Sequence, residues 1–458
     1  MAMNVGFIST RFAGKDGVSL ESNKWVDVFE SSGLKVYWFA GEIDRDPHRS
    51  LLVPKAHFHH PDNRWINERI WGSKVRDPLV TKRIHTLREY LKEKLHHFIE
   101  KFDIHLLVVE NSLTIPMHVP LGLAISETIA ETQIPTIAHH HDFYWERPRF
   151  SLNAVNDYLR MAFPPNLPSI KHVVINSAAQ EELALRTGVS SIIIPNVLDF
   201  ENPPAVDLAR TLTFKKQIGL SADDIIILQP TRIIQRKGIE HSIELVKKLA
   251  HPRYKLLISH DAGDEGVEYA EWLREFACEH DVDLRLVNTC VGDPWTCHIN
   301  RINQYSLWDI YSYSDFITYP SLAEGFGNAL LEAIYFKKPV LVNRYDIFVR
   351  DIEPLGFDFV MMDGFLSKKT VQAVKEILER PERRQKMVNS NYEIAKRHYS
   401  YAVLRTHLNT IMQNFFGETL KQKTPKKTHV QPLPIDLYIK PSAEAYRHIG
   451  KDNCALVS

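Results

Sequence analysis

Two glutamates with seven residues between them could bind the hydroxyl groups of a sugar-like ligand. Glu324 follows a predicted strand, and Glu332 lies in a helix that is predicted to open near Asn328. Between them the chain contains Gly325, Phe326 and Gly327. Carboxylates accept hydrogen bonds from several hydroxyls, Asn is a favourable N-cap, and the free N–H groups of a first helical turn attract phosphate. The segment therefore predicts a site for a phosphorylated, hydroxyl-rich ligand, although acidic residues near a helix start also have a purely structural use.

Two cations follow a predicted buried strand at residues 225–228. Arg232 and Lys237 lie in the loop that joins this strand to the next predicted helix. Arg offers a planar fork of donors and Lys a mobile point charge, and both suit a diphosphate whose negative charge grows as its bond to a sugar breaks. Arg236 competes for either role, and without a partner motif such residues are usually solvated surface charges.

The segment PSLAEGFGNALLEAIYFKKPVLV, residues 320–342, resembles the E-x7-E segment of the family 4 retaining glycosyltransferases, which have the two-domain GT-B fold. The resemblance implies that Glu324 contacts the transferred sugar and Glu332 the ribose of a nucleotide, with residues 325–328 beside them. It also implies that Arg232 and Lys237 bind the donor diphosphate. Gly17 matches the family position whose backbone N–H lies near the donor phosphates, although a loop with glycines at 14 and 17 is by itself more often a turn.

The resemblance covers the layout of most of residues 1–417 but is specific only in residues 225–342. Two departures weaken it locally. In IPNVLDF, residues 194–200, Val197 replaces a glycine that is usual in the family. After Val342, the sequence NRYDIF stands where the family often has GG-x-x-E, so a ligand contact in that turn is in doubt.

An aromatic and charged cluster, HHHDFYWERPRF at residues 139–150, follows a strand predicted at residues 134–138. Adjacent histidines seldom converge on one ion and no HExxH spacing is present, so a metal site is disfavoured. Aromatic faces and charged groups suit a sugar better. By the resemblance, His140 would lie beside the donor sugar. The candidate acceptor-binding residues are Asp142, Tyr144, Arg147 and Arg149.

The two arginines of this cluster suggest an anionic acceptor. Pro148 biases Arg147 towards an extended conformation, which would place Arg147 and Arg149 on one side of the chain. Paired guanidinium groups bind carboxylates and phosphates. Ordinary salt bridges with Asp142 and Glu146 explain these arginines equally well.

The elements that must position these residues alternate between short apolar strands and amphipathic helices, which predicts an α/β protein. By the resemblance, we expect an N-terminal Rossmann-like domain on the acceptor side at residues 1–200 and a C-terminal one on the donor side at 201–397, facing a cleft. By the resemblance, a helix at 398–417 crosses back to the first domain. Residues 418–458 have the composition of a flexible extension, and residues 41–78 are predicted to be irregular.

Composition excludes several classes of protein. The chain of 458 residues has a formal net charge of zero, so bulk attraction to nucleic acid is not expected. No apolar run is long enough for a membrane span and no signal peptide is recognisable, which predicts a cytoplasmic protein. Four cysteines without a metal-binding spacing predict reduced thiols. A homodimer is compatible with the sequence.

Together with the resemblance, which implies retention, these features predict a retaining hexosyltransferase that needs neither cofactor nor metal. The donor would be a nucleotide-sugar, with UDP-glucose, GDP-mannose and ADP-glucose undecided, and the acceptor a hydroxyl of a small, soluble, anionic molecule. Two DxD strings, at residues 44–46 and 281–283, are interpreted as chance. The alternatives are a sugar phosphorylase or trehalose-synthase-like enzyme, and a catalytically silent module that binds sugar nucleotides.

Overall fold

The computed structural model describes residues 3–14, 17–204, 209–260, 267–287, 291–292 and 305–417. These residues form two compact units. Unit 1 runs up to Val197 and resumes at Tyr399, and unit 2 runs from Leu198 to His398. The predicted tail at residues 418–458 lies outside the described residues.

Unit 1 contains one parallel sheet of seven strands. The strands are β1 (Asn4–Ile8), β2 (Lys35–Ala40), β3 (Ser50–Leu52), β4 (Leu106–Glu110), β5 (Thr136–His140), β6 (Ile170–Val174) and β7 (Ser191–Ile193). Their order across the sheet is β3-β2-β1-β4-β5-β6-β7. The helices are α1 (Gly17–Ser31), α2 (Pro61–Ile70), α3 (Pro78–Phe102), α4 (Val119–Thr132), α5 (Asn156–Ala162) and α6 (Ser177–Thr187).

Side chains of unit 1 alternate between two cores, one on each face of the sheet. Phe7, Trp38 and Val108 pack on the face that carries α1, whereas Phe39 and Val109 pack on the face that carries α3 and α4. Strands that are buried on both faces read as continuous apolar runs, which is why the sequence pattern located them.

Unit 2 repeats this architecture with a six-stranded parallel sheet. The described strands of unit 2 are β8 (Ile225–Gln229), β9 (Tyr254–Ile258), β10 (Leu284–Leu286), β11 (Val291–Gly292), β12 (Tyr305–Ser306), β13 (Phe316–Tyr319), β14 (Val340–Asn343) and β15 (Val360–Met362). The main sheet has the order β10-β9-β8-β13-β14-β15, and β11 pairs with β12 separately. The helices are α7 (Ala209–Gln217), α8 (Ile239–Leu249), α9 (Val267–Glu279), α10 (Leu307–Tyr313), α11 (Asn328–Tyr335), α12 (Lys368–Glu379) and α13 (Pro381–His398).

The last described helix, α14 (Tyr401–Phe416), packs within unit 1. Leu404 and Leu408 are fully buried in the core that also contains Phe29 of α1. The Tyr401 hydroxyl donates a hydrogen bond of 3.1 Å to Asp27. The chain therefore returns from unit 2 to unit 1 at α14.

Three sequence expectations need correction. Residues 41–78 are not irregular throughout, because β3 and α2 lie among them. Strand β5 ends at His140 instead of Ala138, so two histidines of the triplet belong to the strand. Cys278 is disulfide-bonded, and the other three cysteines lie outside the described residues, so the expectation of reduced thiols is wrong for this residue.

Candidate active site

Glu324 is held by two cations from the loop after β8. Lys237 Nζ donates to Glu324 Oε1, and Arg236 Nη1 donates to Oε2 at 3.0 Å. Arg236 also donates to the backbone carbonyl of Ala323 at 2.9 Å. The Glu324 side chain is only 9% exposed. Strands β8 and β13 are adjacent in the sheet. The loops that follow them therefore meet at the Glu324 carboxylate.

Burial and mutual attraction determine the charge states of Glu324 and Lys237. Burial favours the neutral form of Glu324, but the positive charges of Lys237 and Arg236 outweigh it and hold the pKa of Glu324 below its usual value. Burial lowers the pKa of Lys237, an effect that Glu324 opposes and that Arg236 and Arg232 reinforce. The site thus contains an ionised carboxylate inside a cationic loop.

The glycine-bearing loop after Glu324 has a conformation that glycine alone adopts easily. Gly327 has φ of 122° and forms the N-cap of α11. Asn328 is the first helical residue, so the expectation that Asn328 caps this helix is wrong. The Tyr345 hydroxyl donates a hydrogen bond of 2.7 Å to the carbonyl of Phe326 and so stabilises the loop. Gly325 is exposed, and Phe326 is buried.

Glu332 lies one turn along α11, where a tyrosine positions its carboxylate. The hydroxyl of Tyr311 in α10 donates to Glu332 Oε2 at 2.8 Å. Burial, together with the negative charge of Glu332, raises the pKa of Tyr311 well above its usual value, so the tyrosine remains a donor. Glu332 is half-buried, which leaves part of its side chain at the surface.

The other two donor-side candidates are at the surface. Arg232 is exposed, and its charge acts on Lys237 as described above. Gly17 is the first residue of α1, and a Cβ at this position would have no heavy atom within 4 Å. Its backbone N–H therefore lies at the start of a helix, where anions are favoured.

The histidine triplet divides between the two faces of the sheet of unit 1. His140 is fully buried, and its Nε2 lies 2.9 Å from His172 Nδ1. His139 and His141 point to the opposite side, where both contact Glu110. His141 is 13% exposed and His139 1%. The role of His140 as a sugar-contacting residue stays a prediction; its side chain is fully buried, whereas that of His141 has an exposed edge.

The acceptor-side candidates are only partly brought together. Arg147 donates to Asp142, which also accepts a hydrogen bond of 3.3 Å from Asn111 Nδ2. Tyr144 is half-buried, and burial raises the pKa of its hydroxyl. Residues 148–150 form a 3-10 turn, and the guanidinium of Arg149 lies over the ring of Phe150 at 4.6 Å. This turn removes the extended alternation from which a shared side for Arg147 and Arg149 was predicted.

Several supporting residues were missed by the sequence argument. Tyr311 and Tyr345 hold Glu332 and the glycine-bearing loop, and Glu110 joins His139 to His141. The sequence places Glu110 and Asn111 at the carboxyl end of a predicted strand, where open α/β sheets bind ligands, but it assigns them no role. The partners in each group come from distant parts of the chain, and the available signal was their position at the carboxyl ends of neighbouring parallel strands.

Comparison with known proteins supports the glycosyltransferase family that the E-x7-E segment resembles. The family model described as "Glycosyl transferases group 1" matches residues 293–394. The chain is 34% identical to mannosylglucosylglycerate synthase of Petrotoga mobilis over 390 residues, 79% of this chain and 86% of that protein. It is 33% identical to mannosylglucosylglycerate synthase of Thermotoga maritima over 432 residues, 87% of this chain and 97% of that protein.

Solved structures support the fold. A glycosyltransferase from Rickettsia africae aligns with a TM-score of 0.64 at 14% identity, covering 91% of this chain and 99% of that one. Both units have the parallel α/β architecture predicted from the sequence, and the predicted GT-B fold is confirmed. The chain belongs to the group 1 glycosyltransferases, the family 4 enzymes with the GT-B fold.

Proposed function

We propose that the protein transfers a hexose from a nucleoside diphosphate sugar to a hydroxyl of a small, anionic acceptor. The observation that carries this proposal is the buried Glu324, ionised between Lys237 and Arg236 beside the glycine-bearing loop at the start of α11. A carboxylate held in place before substrate arrives can accept hydrogen bonds from sugar hydroxyls without reorganising.

On the donor side, positive charge is available where a diphosphate would leave. Arg232 is exposed and its charge acts on Lys237; both cations would contact phosphate oxygens, and Glu332 would accept from the ribose hydroxyls. Each contact that strengthens as the diphosphate departs would contribute about 3 kcal/mol to the transition state. These cations supply the stabilisation that a metal provides in other transferases, so we propose that the diphosphate is bound without an ion.

The stereochemical course that we propose is retention at the anomeric carbon. The acceptor hydroxyl would attack from the face that the diphosphate leaves, and the departing phosphate oxygen would take the acceptor proton. Glu324 serves in this scheme to orient the sugar, because its carboxylate is already bound by two cations. No carboxylate is assigned as a covalent nucleophile, which distinguishes the proposed reaction from that of retaining glycosidases.

The names of the two relatives suggest the substrates. Each is a mannosylglucosylglycerate synthase, so we propose that this chain transfers mannose from GDP-mannose to glucosylglycerate. The carboxylate of a glycerate group would suit the Arg147 guanidinium, which is 39% exposed beside Asp142. A cytoplasmic location, a homodimer and a cleft between the domains stay predictions.

The test pairs three donors with a panel of acceptors. GDP-mannose, UDP-glucose and ADP-glucose would each be incubated with glycerate, 3-phosphoglycerate, glucosylglycerate and neutral sugars, while nucleoside diphosphate release and the anomeric configuration of the product are measured. We expect release only with GDP-mannose and glucosylglycerate, with an α-linked product. An inverted product would contradict the retaining mechanism.

Variants connect this activity to the site. Glu324→Gln and Arg232→Ala should each lower kcat/KM by about a hundredfold. Glu376→Gln and Arg380→Ala, which break an exposed ion pair at the C-terminal end of α12, should leave it unchanged. Donor binding, measured by calorimetry with EDTA present, tests the metal-free diphosphate site. Binding without turnover of any acceptor would favour the silent module, and turnover with free phosphate would favour a phosphorylase.

A further inference from the structure

Three side chains of unit 1 converge at the carboxyl ends of β4 and β5. Glu110 and His139 are cross-strand partners in the sheet, and His141 lies two residues beyond His139, so its side chain returns to the same face. His139 Nδ1 lies 3.0 Å and His141 Nε2 3.2 Å from Glu110 Oε2. The three ligand atoms all lie within 4.8 Å of one another.

The sequence disfavours a metal site because adjacent histidines seldom converge on one ion and no HExxH spacing is present. That reasoning holds for His139 and His140, which lie on opposite faces of β5. It fails for His139 and His141, because alternate residues of an extended segment share a face. The predicted strand ended at residue 138, so this alternation was not recognised.

The charge of Glu110 gives a physical reason for a cation. Its side chain is fully buried, and the ion-pair partners that the described residues provide for it are His139 and His141. A neutral imidazole does not compensate a buried carboxylate, so the cluster needs either an added proton or a bound cation. Glu21 and Asp142 add to the negative field at His141. The cluster is therefore suited to a positive charge.

From this geometry we propose that Glu110, His139 and His141 bind a divalent transition-metal ion of the Zn²⁺ class. Zn²⁺ bonds to imidazole nitrogen and carboxylate oxygen at about 2.0–2.2 Å, which places neighbouring tetrahedral ligands about 3.4 Å apart. The observed separations of 3.0 and 3.2 Å are close to that value. Two nitrogen ligands and one oxygen favour Zn²⁺, Co²⁺ or Ni²⁺ over Mg²⁺ and Ca²⁺.

The surroundings would leave one coordination position open. Glu110 and His139 are buried, and the ring of Trp25 stacks on His139 with centroids 4.3 Å apart. His141 is the ligand with an exposed edge, so a water molecule or an oxygen of a substrate could complete the coordination from that side. The proposed ion lies in unit 1, whereas the cations proposed for the diphosphate belong to unit 2, so the two proposals are independent.

The test measures metal binding and does not depend on enzyme activity. The untagged full chain would be stripped with chelator, dialysed and titrated with Co²⁺ while visible d–d absorption is recorded, and bound metal would be quantified by mass spectrometry. We expect one tightly bound ion per chain, with an intense tetrahedral-type spectrum that Zn²⁺ abolishes by displacement.

Variants locate the ion. Glu110→Gln and His141→Asn should each weaken Co²⁺ binding at least about tenfold, while His96→Asn, which removes a surface histidine 3.1 Å from Glu131, should not. Circular dichroism checks folding, and His141→Asn, at a partly exposed position, remains informative if Glu110→Gln does not fold. Absence of stoichiometric binding, or binding that both variants retain, would overturn the proposal.

Discussion

Residue types and spacing identified the carboxylate and one of the two cations that surround it. Glu324 and Lys237 were both predicted to face the donor, and the structure brings them into contact. Arg236 was named as a competitor of Arg232 and proves to be the second partner of Glu324. The choice of Arg236 instead of Arg232 as the partner of Glu324 could not be predicted from sequence. It depends on how two loops, 88 residues apart in the chain, approach each other.

A tyrosine that no motif marked supports this site. Tyr345→Phe removes the hydroxyl that donates to the Phe326 carbonyl, and the glycine-bearing loop then loses a fixed hydrogen bond that is worth about 1 kcal/mol. We expect the KM for the donor to rise by about fivefold, because binding must then order the loop. Steady-state kinetics with the donor varied would measure this change.

The matched control is Tyr392→Phe. Tyr392 also donates to a backbone carbonyl in unit 2, that of Phe200, at 3.2 Å, but it does not contact the glycine-bearing loop. It should lower stability by a similar amount without changing the KM. Equal kinetic effects in the two variants would show that Tyr345 acts through general stability alone.

At the scale of elements, the start of α11 is the part of the site with the strictest backbone requirement. Gly327 combines φ of 122° with a close approach, because a Cβ there would lie 2.6 Å from the Tyr345 hydroxyl. A conformation of this kind costs a non-glycine residue about 1–3 kcal/mol. The sequence predicted glycines at this turn, but only the structure shows which one the turn requires.

Gly327→Ala should therefore destabilise unit 2 by about 3 kcal/mol, from backbone strain together with the contact. Donor binding should also weaken, because the N-terminal turn of α11 shifts. Urea denaturation and donor calorimetry measure the two effects. Gly356→Ala is the control, since Gly356 has φ of 83° in the left-handed region and its Cβ would meet nothing within 4 Å. A loss no larger than that of Gly356→Ala would contradict the argument.

Strand existence was predictable in most of both units, whereas strand ends were not. The apolar run that predicted β5 stops at Ala138, but the hydrogen-bonded strand continues to His140. Polar residues can extend this strand because Glu110 and His172 provide buried partners for its histidines. Those partners are supplied by β4 and β6, so periodicity within one segment could not show them. The same tertiary dependence explains why the burial of His140 was not foreseen.

At the scale of the whole molecule, protonation of buried histidines opposes folding; among the described residues these are His118, His140 and His172, and they belong to unit 1. His118 is the N-cap of α4, where its Nδ1 accepts from Leu121 N–H and its Nε2 donates to the Lys55 carbonyl at 2.8 Å. Burial lowers the pKa of His118 to about 4, and protonation of Nδ1 would remove the cap. The nearby His57 and His60 disfavour the charge further.

Acidification should consequently destabilise the protein, and His118 should account for a measurable share. Between its folded pKa of about 4 and the unfolded value of 6.5, the unfolded chain binds the extra proton, so stability is complete above pH 6.5 and is lost as the pH falls. At pH 5 the loss from this group is about 2 kcal/mol. His118→Asn keeps a capping oxygen but does not titrate, so urea denaturation should show a correspondingly smaller loss between pH 7 and pH 5. Ser367→Ala, which removes the N-cap of α12 without removing a titratable group, should leave the loss unchanged. If His118→Asn loses as much stability as the unmodified protein, then burial of this histidine does not contribute to the acid sensitivity.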